Sequence, residues 1–224
     1  MPVWDGPALV TAFENEAGLE DAHELDVDTD IYPRLSQAQV KLVERIAGIY
    51  PDALYSAPFT LTPSVDRKTF SFGNDAQGNP NIGLGWVQIA PNQSAFSGDT
   101  FVGWVKDRDF LDEGDKIRIM SNRSWPGTLY CRAVLTPPDI TALQPPVINP
   151  ASARELIAVL AVQRWALEGN QNPRLAQAMA SKWTDRDYGF PALMLEYKKR
   201  WQGGGAGWDP ARWYFAAPDL GSAG

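Results

Sequence analysis

The 224 residues of this chain are enough to bury a sizeable core, and they predict one domain or one and a half. A hydrophobic content of 44%, with 11% aromatic residues, excludes a largely disordered protein. The single cysteine excludes an internal disulfide and allows a reducing cytoplasm as the folding compartment. No basic-then-apolar leader is expected at residues 1–4, and no apolar run approaches the ~20 residues of a membrane span, so we expect a soluble protein.

The net charge of −7 is concentrated at one end of the sequence. Residues 1–30 contain nine carboxylates and no lysine or arginine, whereas the remaining residues are close to neutral. Such a block repels nucleic acid or meets a basic partner surface, and its simpler interpretation is a solvated, partly disordered face. We therefore assign residues 1–30 to an acidic N-terminal segment with a short helix from about Ala8 to Asp21.

An amphipathic helix is predicted next. Asp30 is a suitable N-cap, and Pro33 suits the first helical turn. Apolar side chains then recur at steps of three and four residues until Pro51 ends the pattern. These side chains are Leu35, Ala38, Leu42, Ile46 and Ile49.

From Phe59 to Leu135 the apolar period changes to two, which predicts short β-strands separated by turns such as residues 73–80. Together with a stiff proline-rich connector, these strands are assigned to an inserted antiparallel β module, residues 56–149. The apolar positions that predict the strands are Phe59/Leu61, Phe70/Phe72, Ile82/Leu84/Trp86, Ile117/Ile119 and Leu129/Cys131/Ala133/Leu135.

Helical periodicity returns after the connector. Asn-Pro pairs at residues 149–150 and 172–173 predict two helix starts, and Ser152 with Glu155 can form a capping box in the first helix. The apolar run at 156–162 covers nearly the whole circumference, so this helix is expected to be central and buried. In the later helices, separated by a break at residues 189–191, the inward positions are Leu175, Met179, Trp183, Leu193, Met194, Tyr197 and Trp201.

The predicted fold class is therefore α+β, with a helical core of three to four helices formed by residues 31–55 and 150–201. Residues 202–224 add a glycine-rich linker and an aromatic C-terminal tail. A flexible linker ahead of aromatic anchors can order on docking, so the tail is expected to contact a partner. The predicted contact residues are Trp208, Arg212, Trp213, Tyr214 and Phe215.

The search for catalytic chemistry gives mostly negative results. His23 is the sole histidine and lies far in sequence from Cys131, whose place on a predicted strand face favours a small buried residue. Asp26, Asp28 and Asp30 fit the first positions of a calcium loop, but the glycine and the glutamate that such a loop needs are missing. We expect no catalytic residue, no cofactor and no metal site.

Two groups of residues still allow a carbohydrate function. An acidic cluster near Trp104 contains enough carboxylates for a glycosidase, although the basic residues between them favour a salt-bridged loop. Trp86 and Trp104 on the β module are candidates for an aromatic platform that binds sugar rings. The cluster consists of Asp107, Asp109, Asp112, Glu113 and Asp115, interleaved with Lys106, Arg108, Lys116 and Arg118.

The segment Asp-Thr-Asp-Ile-Tyr-Pro-Arg-Leu-Ser-Gln-Ala-Gln at residues 28–39, continuing to Tyr-Pro-Asp-Ala-Leu-Tyr at 50–55, resembles the opening helix of head–tail connector (adaptor) proteins of tailed bacteriophages. Those proteins continue with a β insertion and return to a helical pair similar to residues 153–169 and the stretch that reaches residue 199. The resemblance covers about two-thirds of the chain and depends on element order and helix patterns.

The resemblance implies a non-enzymatic virion protein, made in the host cytoplasm, that forms a ring of twelve copies under the portal and part of the DNA channel. Its partners would be further copies of itself, the portal, and tail or stopper proteins, and its C-terminal extension would reach the portal. An acidic subunit suits such a channel because each phosphate neutralised by lysine or arginine adds affinity for DNA. Two alternatives remain open: a tail-completion or stopper protein, and a carbohydrate-binding or glycan-cleaving virion protein.

Overall fold

The computed structural model describes residues 5–19, 25–75, 78–97, 101, 103–120, 124–148, 151–168 and 172–202. This part of the chain forms five α-helices and two antiparallel sheets, so the α+β fold class predicted from the sequence is confirmed. The chain divides into two compact units, a helical unit (residues 1–53 and 137–224) and a β unit (residues 54–136). None of the described helices is both long enough and apolar enough to span a membrane.

The helical unit is built around its longest helix. Its five helices are α1 (Gly6–Ala17), α2 (Tyr32–Ala47), α3 (Ala151–Leu167), α4 (Pro173–Thr184) and α5 (Phe190–Gln202). Helix α3 contacts each of the other four. Every residue from Leu156 to Val162 is buried, as the uninterrupted apolar run predicts.

Helix α1 belongs to this core. Leu9 and Phe13 are 0% exposed, and the ring of Phe13 meets Trp165 of α3 edge-on, with 6.1 Å between centroids. The interpretation of residues 1–30 as a solvated face is therefore wrong for α1, because its apolar stripe packs on α3. The composition of residues 1–30 hides this stripe, because carboxylates are the dominant side chains around it.

Both ends of α1 are defined by local chemistry. The carboxylate of Asp5 accepts a hydrogen bond from the backbone N–H of Ala8 at 2.9 Å, which caps the N-terminus. The helix ends at Gly18, whose φ of 70° lies in the left-handed region that favours glycine. It is therefore shorter than the predicted helix, which extended to Asp21.

A π-helical turn (Val27–Ile31) precedes α2 and moves the start of helical structure upstream of the predicted cap. The Asp26 carboxylate accepts hydrogen bonds from the backbone N–H groups of Asp28 at 3.0 Å and Thr29 at 2.8 Å, so Asp26 is the N-cap. The prediction of Asp30 as the N-cap is wrong. Asp30 lies inside the turn, and its carboxylate accepts from the backbone N–H of Asp26 at 3.0 Å.

The apolar stripe of α2 matches the predicted stripe except at its end. Leu35, Leu42 and Ile46 are 0% exposed, and Ala38 is buried beside them. Ile49 is 51% exposed because the helix stops at Ala47, so the inward position predicted for Ile49 is wrong.

Two polar residues on the buried side of α2 hold the proline-rich connector. The Ser36 hydroxyl accepts a hydrogen bond from the backbone N–H of Ile140 at 2.9 Å. The Gln39 amide donates to the carbonyl of Pro138 at 3.1 Å and accepts from the N–H of Val147 at 3.0 Å. These bonds satisfy buried polar groups and place residues 137–148 in the helical unit, whereas the sequence assigned them to the β module.

Helix α4 starts where the second Asn-Pro pair predicts. The side-chain oxygen of Asn172 accepts from the N–H of Leu175 at 3.0 Å, and Pro173 occupies the first turn. Met179 and Trp183 are buried, whereas Leu175 is half-buried. The first pair, at residues 149–150, and the side chain of Ser152 lie outside the described residues.

Gly189 produces the break between α4 and α5. A Cβ atom there would lie 2.5 Å from the carbonyl oxygen of Trp183 and 2.6 Å from that of Asp185, closer than real atoms approach. The turn brings Phe190 into a stacked contact with Trp183, with 4.7 Å between ring centroids. Leu193 is buried as predicted, as is Tyr197; Met194 is half-buried, and the side chain of Trp201 lies outside the described residues.

The β unit contains two small sheets, whereas the sequence predicted one module without dividing it. Their strands are β1 (Phe59–Thr60), β2 (Thr62–Pro63), β3 (Thr69–Ser71), β4 (Gly83–Ala90), β5 (Phe110–Asp112), β6 (Lys116–Ile119) and β7 (Tyr130–Leu135). One sheet has the order β1-β7-β4, with Phe59 and Ile89 both opposite Cys131. The other has the order β2-β3-β6-β5, with Phe70 opposite Ile117. Strands β2 and β5 were not predicted, because β2 has no apolar alternation of its own and the short apolar segment of β5 lies among charged residues.

Candidate functional site

The residues predicted to contact a partner, Trp208, Arg212, Trp213, Tyr214 and Phe215, lie outside the described residues, as does His23. The described residues that could bind or react are concentrated in the β unit. They comprise one cysteine, a cluster of carboxylates and a groove whose lining includes two tryptophans in contact with each other.

Cys131 is the second residue of β7 and is 0% exposed. Burial raises the pKa of its thiol far above the ordinary value, and the negative charge of Asp112 raises it further. The thiolate is the reactive form of cysteine, so this thiol is not a nucleophile at neutral pH. The sequence-based interpretation of a small buried residue is confirmed.

Three of the five carboxylates in the acidic cluster of residues 107–115 form ion pairs with the interleaved basic residues, as the sequence predicts. A glycosidase needs one carboxyl group that keeps its proton, and an adjacent cation favours loss of that proton. The pairs are Asp109 with Arg108 at 2.7 Å, Asp112 with Lys106 at 3.3 Å, and Glu113 with Arg118 at 2.6 Å and with Lys116 at 4.0 Å.

An open groove of about 710 Å³ lies beside this cluster, and we call it the tryptophan groove. Its volume falls within the ~300–1,000 Å³ typical of small-molecule sites, which combine aromatic walls with a few polar groups. The residues that line it are Gly103, Trp104, Arg108, Asp109, Ile119, Met120, Ser124, Trp125 and Pro126.

Trp104 is placed by a contact with the edge of β4. Its backbone N–H donates to the carbonyl oxygen of Ile89 at 2.8 Å and forms an isolated antiparallel bridge. This approach requires Gly103, because a Cβ atom there would lie 2.4 Å from the same carbonyl oxygen. The glycine therefore fixes where the indole ring enters the groove.

Trp125 is placed by contacts of its turn with Arg67. The carbonyl oxygen of Arg67 accepts from the N–H of Trp125 at 3.1 Å, and the Arg67 guanidinium donates to the carbonyl of Pro126. The two indole rings then meet edge to face, with 5.1 Å between centroids and 88° between planes. Nε1 of Trp125 is buried and has no hydrogen-bond partner among the described residues.

Arg108 and Asp109 supply the charged groups of the groove. The guanidinium donates to both carboxylate oxygens, at 3.0 Å and 2.7 Å, and the carboxylate also accepts from the N–H of Val105 at 2.7 Å. The hydrogen bond from Arg108, followed by that from Val105, holds the pKa of Asp109 below its ordinary value. Arg108 remains 70% exposed, so both groups are accessible at the surface.

Backbone strain marks the segments that build the groove. Arg67 and Asp107 are the non-glycine residues with positive φ in the described part of the chain, at 52° and 64°. Arg67 holds Trp125 and Pro126, and Asp107 precedes Arg108. Such strain persists only where surrounding contacts impose it, and it is frequent at binding sites.

The structure pairs Trp104 with Trp125, not with Trp86, which lies on β4 outside the groove lining. Sequence reasoning missed Trp125 because that residue lies outside the alternating strand pattern. The Pro126-Gly127 pair that follows Trp125 predicts a turn, and this turn is the feature of the sequence that could have identified Trp125 as a residue outside the strands.

The residues suggested by the calcium-loop pattern do not form a metal site: within the described ranges, no group of three or more histidine, cysteine, aspartate or glutamate side chains could hold a metal ion. The carboxylates of Asp26 and Asp30 instead accept hydrogen bonds from backbone N–H groups of the turn before α2.

No protein-family model matches this sequence, and no similar curated protein is found. Function must therefore be inferred from the residues of the chain itself.

Proposed function

We propose that this protein is a head–tail adaptor of a tailed bacteriophage, a non-enzymatic ring subunit that joins the portal to the tail and forms part of the DNA channel. The observation that carries the proposal is the order of its elements. Helix α2 is followed by the β unit, and the chain then returns to α3, α4 and α5 in the same helical unit. This order supports the resemblance seen in residues 28–39 and 50–55.

The distribution of charge supports the same function. The first 30 residues carry nine carboxylates without a compensating lysine or arginine among them, and α1 lies within this acidic block. Repeated around a ring, an acidic segment repels the phosphate backbone of DNA and lets it pass without binding.

The C-terminal tail is the proposed portal contact. Trp208, Trp213, Tyr214 and Phe215 can together remove several hundred Å² from water, and ~25 cal/mol per Å² makes this a gross gain of several kcal/mol. Ordering of the tail reduces that gain. Arg212 adds a hydrogen-bonding cation to the segment, a residue type frequent at interface hot spots.

The mass of the purified protein, alone and mixed with the portal protein of the same particle, tests the proposed assembly. An adaptor is expected to form a ring on the portal, with twelve copies per portal ring by native mass spectrometry. Binding to a complex of portal and another neck protein, but not to the portal alone, would favour the stopper alternative. A chain that remains monomeric with both would contradict the proposal.

Deletion of residues 208–224 tests the tail separately. The truncated protein is expected to keep its melting temperature but to fail in portal binding, and particles made with it should be heads without tails. Deletion of residues 216–224, which contain no aromatic residue, is the matched control and should bind normally. A 208–224 deletion that still docks would move the portal contact to the helices or the β unit.

A further inference from the structure

We propose that the tryptophan groove of the β unit binds a neutral oligosaccharide. The proposal does not depend on the adaptor ring, because the lining residues that the structure describes all lie within the β unit. It replaces the tryptophan pair suggested by the sequence with Trp104 and Trp125.

The walls of the groove suit a sugar ring. Trp104 and Trp125 are each half-buried, and their edge-to-face contact fixes both rings. The face of an indole carries negative potential, which attracts the partly positive C–H groups on the flat side of a pyranose. Ile119 and Met120 extend the apolar surface beside the rings.

The polar groups of the groove match hydroxyl groups. A hydroxyl both donates and accepts, so adjacent hydroxyls are best bound where a donor and an acceptor stand side by side. Arg108 supplies the donors and Asp109 the acceptor, and the two are held together by hydrogen bonds of 3.0 Å and 2.7 Å. The exposed Ser124 adds a hydroxyl to the lining.

The charges of segment 103–120 argue against nucleic acid. Binding of a phosphate backbone requires lysine or arginine side chains whose charge is not already neutralised. The basic residues of this described segment each have a carboxylate within 4.0 Å, and the guanidinium of Arg67 is engaged by the carbonyl oxygen of Pro126. The groove therefore favours an uncharged ligand.

A proline-rich peptide fits the polar groups less well. Proline has no N–H, so such a peptide offers carbonyl acceptors and leaves Asp109 without a donor from the ligand. The indole N–H of Trp125 cannot donate to those carbonyls either, because Nε1 of Trp125 is buried.

Titration of the full-length protein with neutral oligosaccharides tests the proposal. Maltohexaose, cellohexaose and fully N-acetylated chitohexaose are used as probes, and tryptophan fluorescence and calorimetry follow binding. At least one probe is expected to bind saturably, and Trp104→Ala and Arg108→Ala should each weaken it at least about tenfold. Arg108 is 70% exposed, so its removal tests the groove without threatening the fold.

Matched controls separate the groove from other surfaces. Trp86→Ala removes a tryptophan of the same unit that does not line the groove, and Arg186→Ala removes an exposed arginine of the helical unit; both should bind the sugar as the wild type does. A twelve-residue oligothymidylate and decaproline are titrated in parallel. Absence of binding by all three sugars overturns the proposal, as does binding of either competitor that is lost in Trp104→Ala.

Discussion

The backbone conformation is determined by different features in the helical unit and in the β unit. The helical unit uses helices of 12 to 17 residues around α3, and in the described chain it has one residue with positive φ, Gly18. The β unit has five strands of two to four residues, joined by turns that include Arg67 and Asp107 in the left-handed region. A periodic apolar pattern therefore suffices for the first unit, whereas the second depends on individual turn residues.

This difference also explains where the groove is found. Side chains on regular helices are committed to packing at fixed intervals, and in α3 that packing uses nearly the whole circumference. Irregular turns point side chains in directions that no regular element provides. In the β unit such turns bring together Trp104 and Trp125, which are 21 positions apart in the sequence, with 5.1 Å between their ring centroids.

The largest expected effect is in the core of the helical unit. Phe13→Ala should lower the free energy of unfolding by about 3–5 kcal/mol, because the ring is 0% exposed and its removal leaves a cavity beside Trp165. Denaturant titration measures the change. Leu195→Ala, at a side chain that is 54% exposed, is the control and should change stability by less than about 0.5 kcal/mol. A comparably small effect of Phe13→Ala would place α1 outside the core.

A smaller effect is expected at a turn of the β unit. Gly103→Ala should cost about 1–3 kcal/mol, because the new Cβ would meet the backbone oxygen of Ile89 at 2.4 Å and push Trp104 away. Gly48→Ala is the matched control, since the nearest atom to its Cβ lies 3.5 Å away and its φ is −61°. The control should be neutral or stabilising by thermal melting. Equal effects of the two substitutions would contradict the close approach at Gly103.

A helix cap provides the next smaller effect. Asn172→Ala should destabilise the helical unit by about 1 kcal/mol, because the N–H of Leu175 loses its acceptor. Asn172→Asp keeps an acceptor oxygen and should retain most of the stability. The two variants are compared by denaturant titration, and a loss of the same size in both would show that the cap bond is not the cause.

The smallest expected effect is the ionisation of Asp109. Its carboxylate should titrate below the ordinary value of 3.8 in a carbon-detected NMR titration, chiefly because Arg108 donates hydrogen bonds to the ionised form. A folded-state pKa that is lowered contributes stability above the unfolded pKa, and this contribution is lost as the pH falls through the folded pKa. Arg108→Gln should move the midpoint back towards 3.8. An unchanged midpoint would mean that the N–H of Val105 alone sets it.

The sequence by itself determined the class of the fold and most of the helical unit. The apolar run of α3, the stripe of α2 and the Asn172-Pro173 start of α4 are local signals, because helix hydrogen bonds join residues four apart. The alternating apolar positions likewise located five of the seven strands of the β unit, and the interleaved charges of residues 107–115 predicted the ion pairs of Asp109, Asp112 and Glu113.

Only the tertiary structure decided how distant segments meet. The core role of α1, the attachment of the connector to Ser36 and Gln39, and the division of the strands into two sheets all depend on contacts between residues far apart in the sequence. The same is true of the tryptophan groove. Trp104 and Trp125 share no sequence pattern. They meet because Gly103 permits a close backbone approach to Ile89 and because Arg67 holds the turn that carries Trp125. Apolar periodicity reveals neither of these two contacts.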